Sequence, residues 1–399
     1  MHFAGRFTDR MKENLLFIAP TAPLFDKQSG DFRFFSILSI LSKAYNITYL
    51  ARWAIEDPIE NERYVSFLKD LGIKVYVGSY SIRDILHRNV FKAAFIEFYY
   101  IAEHYLPRIR LLQPSCPVIV DTVDVHYLRF HRKYNISKNI EDLRVAEKTK
   151  IKELAIYSLA DIVLTVTEED GWSLQKDNPR ITVKILPNVH RLVYSNRIPN
   201  ENEMIFVGGF VHDPNVDAVI YFCEDILPRI RNSIPEAGFT IVGSNPPAQI
   251  MNLNNDFIKV TGFVPSTTPY LQNSYVSVAP LRYGAGMKGK IGEAMAHGLP
   301  VVTTSIGAEG MRLIDRENVM IADSPEKFSN SVIELMTDKD LYGKIKNNSM
   351  EYISKNYTPE IVGEKFERIL DDLDDIQLKR WSLSRKINFL FNYTFDMVK

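Results

Sequence analysis

Short apolar runs alternate with longer amphipathic stretches along most of the chain. NLLFIAP (14–20) reads as a buried strand, RFFSILSILSKAY (33–45) has helical spacing, and NITYLAR (46–52) reads as the next strand. ERYVSFLKDLG (62–72) predicts a helix ending at Gly72, and IKVYVG follows as a strand. AAFIEFYY (93–100), PVIVDTVD (117–124) and DIVLTVT (161–167) are further strands, with helical sequence between them. Runs that are apolar throughout suit parallel strands covered on both faces. Residues 186–203, LPNVHRLVYSNRIPNENE, break the rhythm and read as a linker. A second series starts at once: EMIFVGGF (203–210), the helical DAVIYFCEDILPRIRNSI (217–234), GFTIVGS, FIKVTGFV, YVSVAPL and PVVTTS. The expectation is α/β: two doubly wound domains, 1–195 and 196–375, with a helical tail over 376–399.

Composition narrows the class. Of 399 residues 46% are hydrophobic and 24% charged, which suits a globular chain of two or three domains. The formal net charge of -1 offers no basic field for nucleic acid. Cys116 and Cys223 are the only cysteines, too few for a disulfide framework or a zinc site, so a reducing, cytoplasmic setting is expected. The first 14 residues show no apolar signal segment, and no run approaches the about 20 apolar residues of a membrane span.

Ligands of such sheets bind beyond the carboxyl ends of the strands. Those ends carry SGDFR (29–33), DTVDVHY (121–127), GGFVHDPN (208–215) and RYGAGMKGK (282–290). The last stretch leads into a helix, IGEAMA. Glycines let the backbone approach a ligand, free N–H groups at a helix start attract an anion, and Lys288 and Lys290 add charge. Gly284, Gly286 and Gly289 also match G-x-G-x-x-G, with Glu309 about 20 residues on. A dinucleotide fingerprint normally follows the first strand of its domain, however, and this one lies several strands in. Lys290 and Glu293 share a helix face, either as a surface ion pair or with separate roles, the lysine on a phosphate and the glutamate on a ribose diol.

The run APLRYGAGMKGKIGEAMAHGLPVVTTSIGAEGM (279–311) resembles the donor-binding segment of retaining glycosyltransferases of family 4. FVGGFVHDPNVDAV resembles the first strand and turn of their donor domain, ILPNV their linker entry, and SGDFR the loop after the first acceptor-domain strand. The likeness is strong over 203–311 and loose over 1–190. It implies the GT-B fold, two Rossmann-like domains facing each other across a cleft. It also implies a nucleoside-diphosphate sugar donor, a saccharide or lipid-linked acceptor in surface polysaccharide or lipopolysaccharide synthesis, and no metal or other cofactor. Many members carry two glutamates eight positions apart. The second aligns with Glu293, and Ala285 stands where the first would be. That departure leaves the donor sugar open, as well as a non-catalytic partner subunit.

The resemblance assigns donor contacts to Gly208, Gly209, Gly284, Gly286, Lys288, Glu293 and Glu309, with loop turns or caps as the alternative for several. Lys290 and Arg282 are candidates for stabilising the leaving diphosphate, Arg282 being otherwise a solvated loop arginine. His126 is a candidate for facing the donor sugar, and Asp121 and Asp124 either orient it or cap the following helix. Gly30, Asp31 and Arg33 are candidates for the acceptor side, Asp31 equally an N-cap for helix 32–44 and Arg33 a holder of an acidic acceptor. The tail LKRWSLSRKINFLFNYTFDMVK suits either an interfacial helix at the inner membrane face or a helix packed back on the first domain. A dehydrogenase and a sugar-nucleotide epimerase of similar fold remain as rivals.

Overall fold

The computed structural model describes residues 12–375 and residue 378. The tail assigned to 376–399 thus lies outside the described residues, apart from that one position. Strands β1 (Asn14–Ala19), β2 (Asn46–Ala51), β3 (Lys74–Val77), β4 (Ala93–Glu97), β5 (Val118–Asp121), β6 (Ile162–Thr165) and β7 (Val183–Ile185) form one sheet. Its order is β3-β2-β1-β4-β5-β6-β7. Strands β8 (Glu203–Val207), β9 (Gly238–Val242), β10 (Ile258–Gly262), β11 (Val276–Ala279), β12 (Val301–Thr303) and β13 (Met320–Ile321) form the second, in the order β10-β9-β8-β11-β12-β13. All pairings within both sheets are parallel. In each sheet the order reverses beside the first strand, so each has a switch-point crevice, between β1 and β4 and between β8 and β11.

β7 and β13 were not anticipated. At three and two residues they are too short to carry a period. The helical run expected over 217–234 starts earlier, at Asp213, and passes through a π-turn at Phe222–Ile226 before Leu227–Ser233. Pro228 lacks the N–H that a continuous α-helix would use there.

The helix Ser29–Leu41 buries Phe34, Ile37, Leu38 and Leu41 on one stripe. Phe34 stacks on Phe95 of β4 at 5.5 Å, and Phe95 meets Phe366 edge-on at 5.6 Å. Phe366 belongs to helix Pro359–Asp371, which follows the second sheet in the chain yet packs on the core of the first. A Cβ on Gly363 of that helix would lie 2.7 Å from Ile40 Cδ1, so the two helices are nearly in backbone contact.

Arg33 and Asp121 correct an expectation. Both side chains are fully enclosed. Arg33 donates to the two carboxylate oxygens at 2.5 and 3.2 Å, and to the carbonyls of Pro187 and Leu186 at 3.1 and 2.9 Å. Four of the five guanidinium N–H groups thus tie helix Ser29–Leu41 to the end of β5 and to the start of the linker. Neither group faces an acceptor, and Asp121 neither orients His126 nor caps the helix after it. Removing one charge strands the other in a dry site, a cost of about 3–5 kcal/mol. Asp121→Asn should therefore lower the urea-unfolding free energy by roughly that amount, whereas Arg33→Met combined with Asp121→Leu should cost less than the single change.

Candidate active site

The two switch points face each other, and two helix starts meet between them. After β11 the chain runs through residues 280–288 into helix Gly289–Ala296. A Cβ on Gly289 would lie 2.3 Å from Oγ and 2.5 Å from Cβ of Ser29, the first residue of helix Ser29–Leu41. Only glycine permits that approach. Neither helix has a side-chain cap: Gln28 and Lys288 stand at the N-cap positions and accept nothing from the first turn. Two positive helix ends with free N–H groups thus point into one space.

The loop before Gly289 is shaped by its contact with the first domain. Gly286 has φ +68, and a Cβ there would meet Asp124 Cβ at 3.1 Å and the Val123 carbonyl at 3.2 Å. Its N–H donates to Asp170 at 3.1 Å. Burial pushes the Asp170 carboxyl up to about 6, although Lys288 and Arg132 oppose this. Val123 itself has φ +57, which is strained for a β-branched residue. Its side chain would also meet a Cβ on Gly30 at 3.2 Å, so Val123 lies where the loops of both domains converge.

Lys290 stands in the first turn of helix Gly289–Ala296. Its Nζ donates to Asn215 Oδ1 and lies 4.3 Å from the centre of the Phe206 ring. No described carboxylate comes within ion-pair distance of it, so the surface pair with Glu293 is not formed. Burial and the neighbouring Lys288 push its ammonium down to about 7. A Cβ on Gly208 would lie 2.9 Å from Lys290 Nζ, which places the turn after β8 against the ammonium. The next carbonyl, of Gly209, accepts from Asn215 Nδ2 at 2.6 Å. Glu293 accepts from Thr267 Oγ1 at 2.5 Å and is otherwise open.

Lys288 is buried. It donates to the Gly286 carbonyl at 2.8 Å and lies 3.4 Å from Glu309. Glu309 is no loop cap. Arg132 of the first domain grips both of its oxygens at 2.6 Å and also donates to the Gly284 carbonyl at 2.5 Å. Arg282 needs correction too: its guanidinium takes Asp217 with two nitrogens and lies 4.8 Å from the centre of the Tyr221 ring, so Asp217 already holds the charge expected for a diphosphate.

On the first-domain wall, His126 opens helix His126–Ser137. Its Nδ1 lies 3.2 Å from Glu153 and 3.4 Å from Asp124. Burial disfavours the imidazolium, but the two carboxylates outweigh it and raise the pKa. Phe98, Tyr99 and Tyr100 present their rings roughly perpendicular to the imidazole. Asp124 also pairs with Arg129. Capping falls to Glu153, which accepts the N–H groups of His126 and Tyr127 at 3.1 and 2.9 Å. Asp31 is not an N-cap either. The helix begins at Ser29, and Asp31 sits inside its first turn, accepting from the Leu24 N–H at 3.0 Å. Burial pushes its carboxyl up to about 6, and burial raises that of its neighbour Glu97 well above the ordinary range.

Sequence reasoning missed Arg132, Asn215, Asp170 and Glu153. Arg129, Arg132 and Lys133 fall at i, i+3 and i+4 after DVHY, a basic helix face that would have been a usable signal. The other three carry no local mark.

The fold has counterparts among solved structures. A sucrose-phosphate synthase from Thermosynechococcus elongatus superposes with a TM-score of 0.70 at 14% identity, covering 91% of this chain and 100% of that one. HepE of Anabaena, solved in complex with UDP-glucose, superposes with a TM-score of 0.64 at 12% identity, covering 90% and 99%. The chain has the GT-B fold. Within this GT-B chain, residues 201–338 match the family described as Glycosyl transferases group 1. An uncharacterized 44.6 kDa protein in the cps region of Klebsiella pneumoniae is 24% identical over 181 residues, 43% of this chain and 47% of that one. The match thus spans about half of that relative's length.

Gly289→Ala should drive the two helix starts apart. Nucleotide binding, read by calorimetry, should weaken at least ten-fold while far-ultraviolet circular dichroism stays native. Adding Ser29→Gly, which removes both clashing atoms, should restore much of the affinity.

Proposed function

We propose that this chain is a glycosyltransferase that moves a sugar from a nucleoside-diphosphate sugar to a hydroxyl of a saccharide or lipid-linked acceptor, with retention, in polysaccharide synthesis. One observation carries the reading: among the described residues Lys290 lacks a carboxylate partner, at the point where two uncapped helix starts converge. A buried cation without a counter-charge is costly, and a diphosphate supplies that charge. The family match over 201–338 supports a transferase, and the relative from a cps region supports a capsular or other surface polysaccharide as product.

In this reading the diphosphate lies over Gly289 and Gly30, with Lys290 on its developing negative charge as the sugar departs. Fixed N–H groups and an ammonium need no reorganisation in the transition state, which can contribute several kcal/mol. No metal is expected to be required. Asn215 holds Lys290 in place, and Glu293, open beyond its bond to Thr267, takes the ribose hydroxyls. His126, whose charged form Asp124 and Glu153 favour, faces the donor sugar from the other domain. Arg132 and Asp170 close the domains over the site, so that an acceptor hydroxyl attacks in place of water. The dinucleotide alternative loses ground because the glycine stretch follows β11, well after the first strand of its sheet. We place the domain boundary near residue 195 and the activity on the cytoplasmic side. Among the described residues no helix is long and apolar enough to cross a membrane.

A thermal-shift panel of UDP, GDP, ADP, their common sugars and NAD tests the reading on wild type and on Lys290→Ala. One nucleoside diphosphate should stabilise the wild type, and the variant should bind it roughly 10–100-fold more weakly, the scale of one charge-assisted hydrogen bond. A shift with NAD alone would establish the dehydrogenase instead. No shift with any ligand would favour a non-catalytic partner subunit.

Affinity should also depend on pH. An anion raises the pKa of Lys290 from about 7, so above pH 7 binding must take up a proton. The Kd for the nucleotide sugar should therefore rise from pH 7 to pH 9, and the Lys290→Ala profile should be flat over that range. A wild-type profile equally flat would show that Lys290 does not meet the diphosphate.

A further inference from the structure

The loop after β2 carries a guanidinium that the described protein leaves unsatisfied. Arg52 follows Ala51, the last residue of β2. The Arg52 N–H donates to the Ala19 carbonyl at 2.9 Å and the Trp53 N–H to that of Pro20 at 2.8 Å. These bonds hold the pair at the carboxyl end of β1, one strand from the crevice. Arg33, Arg63 and Arg282 each hold an aspartate, but no described carboxylate lies within 4.0 Å of the Arg52 guanidinium. It contacts only aromatic faces, 4.8 Å from the centre of the Trp53 ring and 5.9 Å from that of Tyr105. Trp53 is 47% exposed, which leaves indole surface free beside the cation.

The surroundings are cationic. Burial, then Arg52 and Arg108, hold the His104 imidazole below its ordinary range, against Glu103. The cluster also connects to the cleft. Tyr105 and His104 lie on helix Tyr99–Leu112, and Tyr100, one turn before His104, stacks on Phe98 at 5.3 Å beside His126. Tyr100 and His104, four positions apart, share one face of this helix, so the cluster and His126 border the same helix.

We propose that Arg52, Trp53 and Tyr105 form an acceptor subsite for an anionic sugar unit, either a uronate or a phosphate-bearing residue. The guanidinium takes the anion through paired hydrogen bonds, and the indole covers the apolar face of the sugar ring. This rests on the transferase reading above. It also moves the recognition of acidic acceptor first expected of Arg33 to an arginine that is free to perform it.

The test uses calorimetry on the full chain with three oligosaccharides: one containing glucuronate, its methyl ester, and one bearing a phosphate. At least one charged probe should bind ten-fold or more tightly than the ester, and the stronger of the two identifies the anion. Arg52→Ala should abolish that preference and Trp53→Ala should weaken the charged and esterified probes alike, while the thermal shift with nucleoside diphosphate stays at the wild-type value in both. Equal binding of charged and esterified probes, no binding of either charged probe, or full preference retained in Arg52→Ala would overturn the subsite while leaving the nucleotide site standing. Absence of any nucleotide shift in the wild type would overturn the transferase reading and the subsite with it.

Discussion

Two helix N-termini held in contact repel each other. Each carries roughly half a positive charge, and here neither is capped by a side chain. Lys290 adds a full charge in the first turn, where the dipole disfavours it. The fold brings them together through parallel topology, since both helices leave their sheets at switch points that face one another. Glycine at 289 and 286 then allows backbone approach where any side chain would separate the domains. The protein ties Glu309 and Asp124 at the rim to arginines, buries Asp170 against the Gly286 N–H, and leaves Lys290 with no described carboxylate partner.

The rim charges do separate work. Helix His126–Ser137 sends Arg132 to Glu309 and Lys133 to Asp213, both on the second domain. Arg312 of the second domain reaches back to Glu168. These pairs are partly exposed, so each contributes little alone, and a clasp of this kind opens readily. The Arg33–Asp121 pair is the opposite case. It is dry and held by four hydrogen bonds, and it fixes the first domain's own helix against β5 and the linker. The rigid bond lies within the domain and the weaker ones lie between domains, an arrangement suited to opening and closing of the cleft.

Much of the architecture was legible. Continuous apolar runs such as LLFIA at 15–19 and VIV at 118–120 suit strands covered on both faces, and their alternation with helical stretches implies two parallel sheets. The place of Lys290 and Glu293 in the first turns of a helix after a glycine loop was legible, because glycines before a helix start and a lysine in its first turn are local features. The caps were misread. Asp31 and Asp124 have the right residue type near a helix start, but Gln28 and Val125 hold the N-cap positions, and Glu153 reaches in from another helix to do the work at His126. Residue type alone does not say which of several polar groups lands on the orphan N–H.

The sequence by itself determined the class of fold and the alternation of strands and helices, apart from the short β7 and β13, and it marked out the glycine-lysine stretch before a helix start. Each depends on period, propensity and spacing over a few residues. Only the tertiary structure decided which charges are spent and which are free. Arg33 and Asp121 are 88 positions apart, Arg132 and Glu309 are 177 apart, and Arg282 reaches Asp217 across 65. An arginine's role follows from the carboxylate it meets, and that meeting is set by how the sheets and helices pack.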